Sequence, residues 1–562
     1  MAAASEWRLS LALFVIAFTV RAIYLAEISG TEVARVLVGD ATAYEAWARE
    51  IQRDWIGREV FYQAPLYPYF LAALHALFGP SLFVVRLVQT VLGAASCVLL
   101  AGAGRRMFAS RGVGYGAGVL LALYGPALFF TGLVHKTALD LFFTTAALYA
   151  VARVEVDAPP RRLWLILAGV SLGCLALTRE NALAWLPLLA VWFAWRRGVR
   201  ALAPFLLGAA LVLGPVAARN AAVGGRPFIT TSQGGVNFYL GNNADTDGTY
   251  APLRFGHGSF AQERQDAIEL AERATGRKLA PGEVSSYWSG RALDWISAHP
   301  GDWLKLLARK WLLVWNDHEI ADSDEPIVYR DASVILRVTS LLSFGVLCPL
   351  ALVGIVATWS ARRRVGVLAL MLLVSAASTA AFLVFARYRA PMIPLLALFA
   401  AAGIAHLVAA SRARQRRLVA IYAGLVVAAV VVTRVPLGEE PHPRATVRYN
   451  LGVTLEGEGE TERAAESYRT AIVDAPTFAE ARVNLGSLLA RGGDLAGAIT
   501  QETEALRLRP DDPTAHTILG NALLQSGRFD DAEAHYRAAL RLDPELPSAQ
   551  DGLAAAQDLR RR

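Results

Sequence analysis

Leu66-Tyr67-Pro68-Tyr69-Phe70-Leu71-Ala72-Ala73-Leu74-His75-Ala76-Leu77-Phe78 is the stretch on which the topology turns. It is apolar and aromatic for about 13 residues, short for a helix that must cross a hydrocarbon layer of about 30 Å. It therefore reads as a re-entrant or surface-lying helix. That reading puts Arg8, Arg105-Arg106-Arg111, Arg153-Arg161-Arg162, Arg196-Arg197-Arg200, Arg362-Arg363-Arg364 and Arg412-Arg414-Arg416-Arg417 all on the cytoplasmic side, where loop arginines belong. If the stretch crossed, every later loop would invert.

Outward from it, apolar runs recur at 7–28, 82–104, 112–131, 136–153, 162–178, 182–196, 200–218, 333–358, 365–385, 390–410 and 418–434. They predict about eleven transmembrane helices. The N-terminus is then inside. Loops 29–81, 132–135, 179–181, 219–332 and 386–389 are outside, with everything after Val435. Trp7–Ile28 is too long for a signal-peptide core and reads as an uncleaved anchor. The chain of 562 residues is 55% hydrophobic and 18% charged, and its net charge of +7 sits in short loops between spans. That is membrane topology, not a nucleic-acid-binding surface. Cys97, Cys174 and Cys348 lie within apolar runs and give neither a disulfide framework nor zinc spacing. The fold class expected is all-α: a polytopic helical bundle over 1–434, a mixed outer-loop domain, and a C-terminal α-solenoid.

The first outer loop, 29–81, holds Gly39-Asp40-Ala41-Thr42-Ala43-Tyr44 and Gln63-Ala64-Pro65-Leu66-Tyr67-Pro68. Tyr44, Trp47, Ala48 and Ile51 fall near one face at helical spacing. Asp40 opens that helix, either as an N-cap or as a carboxylate held at the bilayer surface for chemistry.

The outer loop 219–332 is too long for a connector. Its start, Thr230 to Asn243, mixes glycines and asparagines with a short apolar run. It reads as tight backbone beside a ligand, making Asn237, Tyr239 and Asn242 substrate-binding candidates, or simply as paired β-turns. Helices are expected at about 259–275 and 282–298. A further one opening at Pro300 carries Trp303, Lys305, Arg309, Lys310, Trp311 and Trp315, a mixture suited to the membrane interface.

After a Pro-rich linker, 435–444, a unit of about 34 residues repeats at 445–478, 479–512 and 513–546. Leu451-Gly452, Leu485-Gly486 and Leu519-Gly520 superpose; so do Ala464, Ala498 and Ala532, Ala471, Ala505 and Ala539, and Pro476, Pro510 and Pro544. This is the tetratricopeptide pattern, with a capping helix near 546–559, and it implies a protein-binding surface for an unspecified protein or envelope partner.

Ionisable groups beside spans are costly and mark function. On the outer side stand Asp40, His135-Lys136 with Asp140, Arg179-Glu180, Arg387-Tyr388-Arg389 and Glu319. They are the parts of a glycosyl transfer from a lipid phosphate. Arg387, Arg389, Lys136 and Arg179 would hold the phosphate leaving group, and Asp40 would take the acceptor's proton. The alternatives are an Arg179–Glu180 ion pair and, for Arg387 and Arg389, anchorage to lipid headgroups.

Asp40-Ala41-Thr42-Ala43-Tyr44, Ala64-Pro65-Leu66-Tyr67-Pro68, Val85-Arg86-Leu87-Val88-Gln89 and Arg387-Tyr388-Arg389-Ala390-Pro391 resemble the GT-C superfamily of integral-membrane glycosyltransferases. The nearest branch is the family 39-like group, which includes protein O-mannosyltransferases and the aminoarabinose transferase of lipid A. The resemblance implies an inverting transfer from a polyprenyl-phosphate sugar on the outer face of a bacterial inner membrane. It implies Asp40 as base or acceptor-binding group and Arg387 and Arg389 as lipid-phosphate ligands. Tyr44, Tyr67, His135 and Glu319 are further substrate-binding candidates. The sequence departs from the family where Ala41 follows Asp40 and where His135-Lys136 replaces an acidic residue. No cofactor is fixed; a divalent metal on Asp40, His135 and Glu319 stays open. Two other functions remain: transfer of a whole lipid-linked glycan by a ligase or polymerase, and a non-enzymatic scaffold presenting the repeats.

Overall fold

The computed structural model describes residues 2–158, 161–224, 227–254, 260–320, 324–437 and 442–561. The chain forms two compact units. One is most of residues 1–439; the other is Glu440–Arg562 with the short segments Arg35–Gly39 and Ser323–Val328.

In the first unit, seven helices among the described residues are long and apolar enough to cross a membrane: Glu6–Ile28, Leu82–Phe108, Thr137–Val156, Val199–Gly224, Trp359–Ala381, Met392–Arg412 and Arg416–Thr433. Arg111–Ala122 and Gly125–Gly132 make an eighth if counted together, bent by 51° where Pro126 follows the break. These helices do not confirm the expected count of eleven. Arg162–Ala176 has 15 residues, Trp185–Arg197 has 13, and the predicted span 333–358 breaks into Val334–Thr339 and Phe344–Ala357. At 1.5 Å per residue such helices reach only about 20 Å. Leu66–Phe78 is likewise a 13-residue helix.

Small residues set the close crossings, as expected where lipid gives no hydrophobic drive to associate. A Cβ on Gly354 would stand 1.8 Å from the Phe399 carbonyl, and one on Gly403 2.2 Å from that of Leu350. Gly169 and Gly208 are equally reciprocal, each 2.1 Å from a carbonyl of the facing helix.

The regular structure of the outer loop is helical, joined by turns, among its described residues. Phe260–Thr275 and Pro281–Ala298 match the expectation. The stretch read as paired β-turns is instead the helix Gly234–Leu240, followed by a turn in which Asn243 Oδ1 accepts from the N–H groups of Asp245 and Thr246. A strand would need a ladder partner, and none exists among the described residues. The helix Pro300–Trp315 is only partly interfacial. Leu304 and Lys305 are exposed, but Trp303 donates to Asn242 Oδ1 and Lys310 is fully buried, donating to the Gly241 and Phe382 carbonyls and to Asn242 Oδ1.

The second unit stacks helix pairs Pro443–Gly457 with Thr461–Asp474, Ala479–Arg491 with Leu495–Leu508, and Pro513–Gln525 with Phe529–Leu542, and ends in Pro547–Arg561. These are tetratricopeptide repeats. Gly459, Gly493 and Gly527 join the two helices of each pair at φ of 81°, 86° and 76°, a conformation that favours glycine. Gly452 and Gly520 let Tyr468 and Tyr536 pack flat against the facing helix.

Candidate active site

Asp40 opens the helix Asp40–Arg53, and Gly39, at φ 55°, turns the chain into it. The carboxylate is ion-paired with Arg387 and accepts from Tyr44 Oη at 3.4 Å. Burial alone would raise its pKa, but Arg387, with His135 and Lys136 behind it, lowers it to about 2.

Arg387 lies in the 3-10 turn Ala386–Arg389 ahead of Met392–Arg412. His135 approaches from the loop before Thr137–Val156, its Nε2 4.0 Å from Asp40 Oδ2 and 3.2 Å from Arg387 Nη1. Its Nδ1 lies 2.7 Å from Thr137 Oγ1 and 3.2 Å from the Thr137 N–H, while Nε2 faces the Arg387 guanidinium, which can only donate. Burial, then Arg387, drives the His135 pKa well down, so the ring is neutral.

Lys136 is 6% exposed. Among the described residues its ammonium makes no hydrogen bond and no ion pair. Burial lowers its pKa, with Glu180 opposing and Arg179 and Arg387 reinforcing. Arg179 is matched: its Nε and Nη2 donate to Asp140 Oδ2 at 3.1 and 2.6 Å, with Asp140 fully buried. The alternative of an Arg179–Glu180 ion pair is not seen among the described residues, where Glu180 accepts instead from Thr231 and Gln233. Tyr388 lies beneath both cations, its ring 4.7 Å from the Arg179 guanidinium and 5.5 Å from that of Arg387.

Tyr44 and Tyr67 are buried edge to face, ring centres 5.3 Å apart, and Tyr44 stands 6.1 Å from the His135 ring. Tyr67 donates to Gln89 at 2.6 Å, and Gln89 donates to the carbonyls of Thr131 and Leu133. Arg86 donates to the Gly132 carbonyl. The Val85–Gln89 motif thus fixes the loop that presents His135 and Lys136.

Other candidates fall elsewhere. Arg389 is 1% exposed and already engaged by Glu319 and by the carbonyls of Asn316 and His318. Its donors point into a tie between segments that also holds Glu319. Asn242 is a hub, donating to the Phe238 and Ala381 carbonyls and accepting from Trp303 and Lys310, so it is scaffold. The Asn237 side chain is half-buried and makes no hydrogen bond among the described residues. Tyr239 lines a separate cleft.

With Glu319 on Arg389, the metal set imagined with Asp40 and His135 does not assemble. Among the described residues no three of His, Cys, Asp and Glu gather to hold a metal ion.

Sequence reading missed Glu263. Its helix brings it to Tyr62 Oη at 3.4 Å, and burial raises its pKa, with a hydrogen bond from Tyr250 opposing and the charge of Asp40 adding. No local pattern marks it, because only the outer-loop fold carries it to Asp40.

Asp40, Arg387, His135 and Lys136 thus form a small polar centre with a carboxylate and, among the described residues, a cation without a hydrogen-bond partner, walled by tyrosines. Residues 62–219 match the family model described as dolichyl-phosphate-mannose-protein mannosyltransferase. That segment includes Tyr67, His135, Lys136, Asp140 and Arg179. Tetratricopeptide-repeat models match 449–513 and 503–547. No curated protein matches the chain.

Among solved structures, the archaeal oligosaccharyltransferase AglB from Archaeoglobus fulgidus, in complex with an inhibitory peptide and a dolichol-phosphate, is 14% identical; 81% of this chain and 59% of that one align, with a TM-score of 0.43. ArnT from Cupriavidus metallidurans, bound to undecaprenyl phosphate, is 17% identical over 72% of this chain and 79% of its own, TM-score 0.35. A protein O-mannosyltransferase complex from S. cerevisiae, bound to the sugar donor, is 18% identical over 39% and 31%, TM-score 0.29. These structural similarities are distant. The resemblance read from the motifs is carried by the family model: the membrane part is similar to glycosyltransferases.

Proposed function

We propose that this protein is a membrane glycosyltransferase that moves a sugar from a polyprenyl-phosphate donor to an acceptor on the outer face of the membrane. The observation that carries the reading is Lys136: a lysine only 6% exposed whose ammonium has no hydrogen-bond partner among the described residues, in the field of Arg387 and the Asp40 carboxylate. A buried ammonium is expensive unless an anion joins it. A phosphate group supplies that anion, and the surrounding bundle suits the donor's long apolar chain.

In the reaction, the acceptor oxygen attacks the anomeric carbon while the bond from that carbon to the phosphate oxygen breaks. The charge growing on the leaving phosphate is held by Lys136 and Arg387. The acceptor's proton passes to Asp40. A phosphate on Arg387 competes with Asp40 for the guanidinium and lifts the carboxylate's pKa from about 2 toward a useful base. Neutral His135 packs beside the Arg387–Asp40 pair, its Nε2 3.2 Å from the guanidinium. Arg179, neutralised by Asp140, positions Tyr388 beneath the site. Attack opposite the leaving group gives inversion. The repeats recruit the acceptor or an envelope partner.

The test uses purified protein in nanodiscs with a panel of polyprenyl-phosphate sugars, scoring donor binding and turnover separately. Asp40→Asn should bind a donor and fail to turn it over. Turnover by Asp40→Asn at the wild-type rate would sink the assignment. Failure of the wild type to bind any donor would favour a scaffold role.

A further inference from the structure

Between the spans Trp359–Ala381 and Met392–Arg412 the chain leaves helical geometry at Phe382 and regains it only in the turn Ala386–Arg389. Backbone groups in such a break lack helical partners and must find others. The outer loop supplies them. The Ala381 carbonyl accepts from Asn242 Nδ2 at 3.0 Å. The Val384 N–H donates to the Gly248 carbonyl at 3.0 Å, and the Ala386 N–H to the Ile320 carbonyl at 2.9 Å. Arg389 closes the far end on Asn316, His318 and Glu319. Arg387 stands between these ties, and its side chain turns instead to Asp40 and His135.

Lys310 is the charged member of this clamp. Its ammonium donates to the Gly241 carbonyl at 2.9 Å, and to the Phe382 carbonyl and Asn242 Oδ1, each at 3.1 Å. Gly241 ends the helix Gly234–Leu240, and Phe382 ends the span before the break. The cation thus sits at two helix C-termini, where carbonyls lack partners and the dipoles favour positive charge. Three donors meet three oxygens on a fully buried residue, which leaves the ammonium one placement. Gly248 makes room for the stem. Its φ of 100° favours glycine, and a Cβ there would stand 2.5 Å from Lys310 Cγ.

We propose that Lys310 is a positioning residue for Arg387: by pinning Phe382 to the outer loop it sets the path of residues 382–389, and so where the Arg387 guanidinium stands. Its consequence for phosphate affinity rests on the lipid-phosphate reading of the Asp40 centre; the placement of the guanidinium does not.

Two measurements on the full chain in nanodiscs test it. The first needs no added ligand. Phenylglyoxal labelling of Arg387, resolved from Arg389 by peptide fragmentation, should be about fivefold faster in Lys310→Met than in the wild type, because the guanidinium leaves Asp40 more often. Labelling at the wild-type rate would overturn the proposal. The second is a double-mutant cycle on the affinity for undecaprenyl phosphate. Lys310→Met should weaken binding about tenfold, and Lys310→Met combined with Arg387→Met should bind no more weakly than Arg387→Met alone. Losses that multiply would mean that Lys310 acts without Arg387, as a stability residue only, and would overturn it too. A wild type that does not bind undecaprenyl phosphate would remove the donor reading and leave the labelling to decide the positioning. If Lys310→Met is not recovered monodisperse, Lys310→Gln, which keeps a donor beside the same oxygens, takes its place in both.

Discussion

Lys136 and Asp40 separate binding from chemistry at the residue scale. Lys136→Met keeps the side chain's bulk and removes its charge, so donor affinity should fall by about 10- to 100-fold while the fold is kept, read by donor titration. Asp40→Asn should instead lower turnover by about 100- to 10,000-fold with donor affinity little changed. Arg389→Gln predicts a different failure. It leaves Glu319 and the Asn316 and His318 carbonyls without their donor inside the protein, so thermal stability in detergent should drop before any donor is added. A stable Arg389→Gln protein that loses only donor binding would restore Arg389 to the phosphate site.

At the scale of the element, the repeats carry an irregularity. Tyr468 and Tyr536 fill one position of the first and third repeats, and Glu502 fills it in the second. Glu502 is fully buried against Gly486, and neither carboxylate oxygen has a hydrogen-bond partner among the described residues. Burial, with Asp512 adding, raises its pKa to about 9. The folded repeat therefore keeps a proton that the unfolded chain releases above about pH 4.5. Its stability is greatest at low pH and falls as pH climbs from about 4.5 toward 9, by on the order of 3 kcal/mol near pH 7–8. Glu502→Gln should remove that dependence. Hydrogen exchange of residues 479–508 in the full chain, compared at pH 6 and pH 8 after correction for intrinsic rates, should show slower opening in the variant mainly at the higher pH. A membrane element makes a second case. Gly354→Leu puts a side chain where the Phe399 carbonyl stands, so Phe344–Ala357 cannot seat on Met392–Arg412 and monodisperse protein should be lost.

At the scale of the molecule, topology decides on which side the chemistry occurs. Ser548 is exposed in the last helix. Ser548→Cys, in a chain whose Cys97, Cys174 and Cys348 are replaced by alanine, should react with an impermeant thiol reagent in intact spheroplasts. Reaction only after lysis would place the repeats inside and invert the outer-face assignment.

The apolar runs, the arginine-bearing loops and the repeat period were legible in the sequence because each is a local or periodic pattern. Hydrocarbon selects apolar length, and each repeat places alanine, glycine and proline where its helices touch or end. Asp40, Arg387, His135 and Lys136 could be shortlisted the same way, as ionisable groups at the outer ends of spans. Which arginine is occupied and which cation is left over could not. Arg179 meets Asp140 39 residues away, and Arg387 meets Asp40 across 347. Pairing at such separations is settled by helix packing, and a guanidinium's partner leaves no periodic trace in the chain. The same holds for Glu263 and for the ties of Lys310, which exist only once the outer-loop helices have packed. The expected eleven spans are not confirmed for the related reason that apolar composition does not report where a helix breaks. The breaks at Leu123–Tyr124 and between Thr339 and Phe344 appear only in the folded chain.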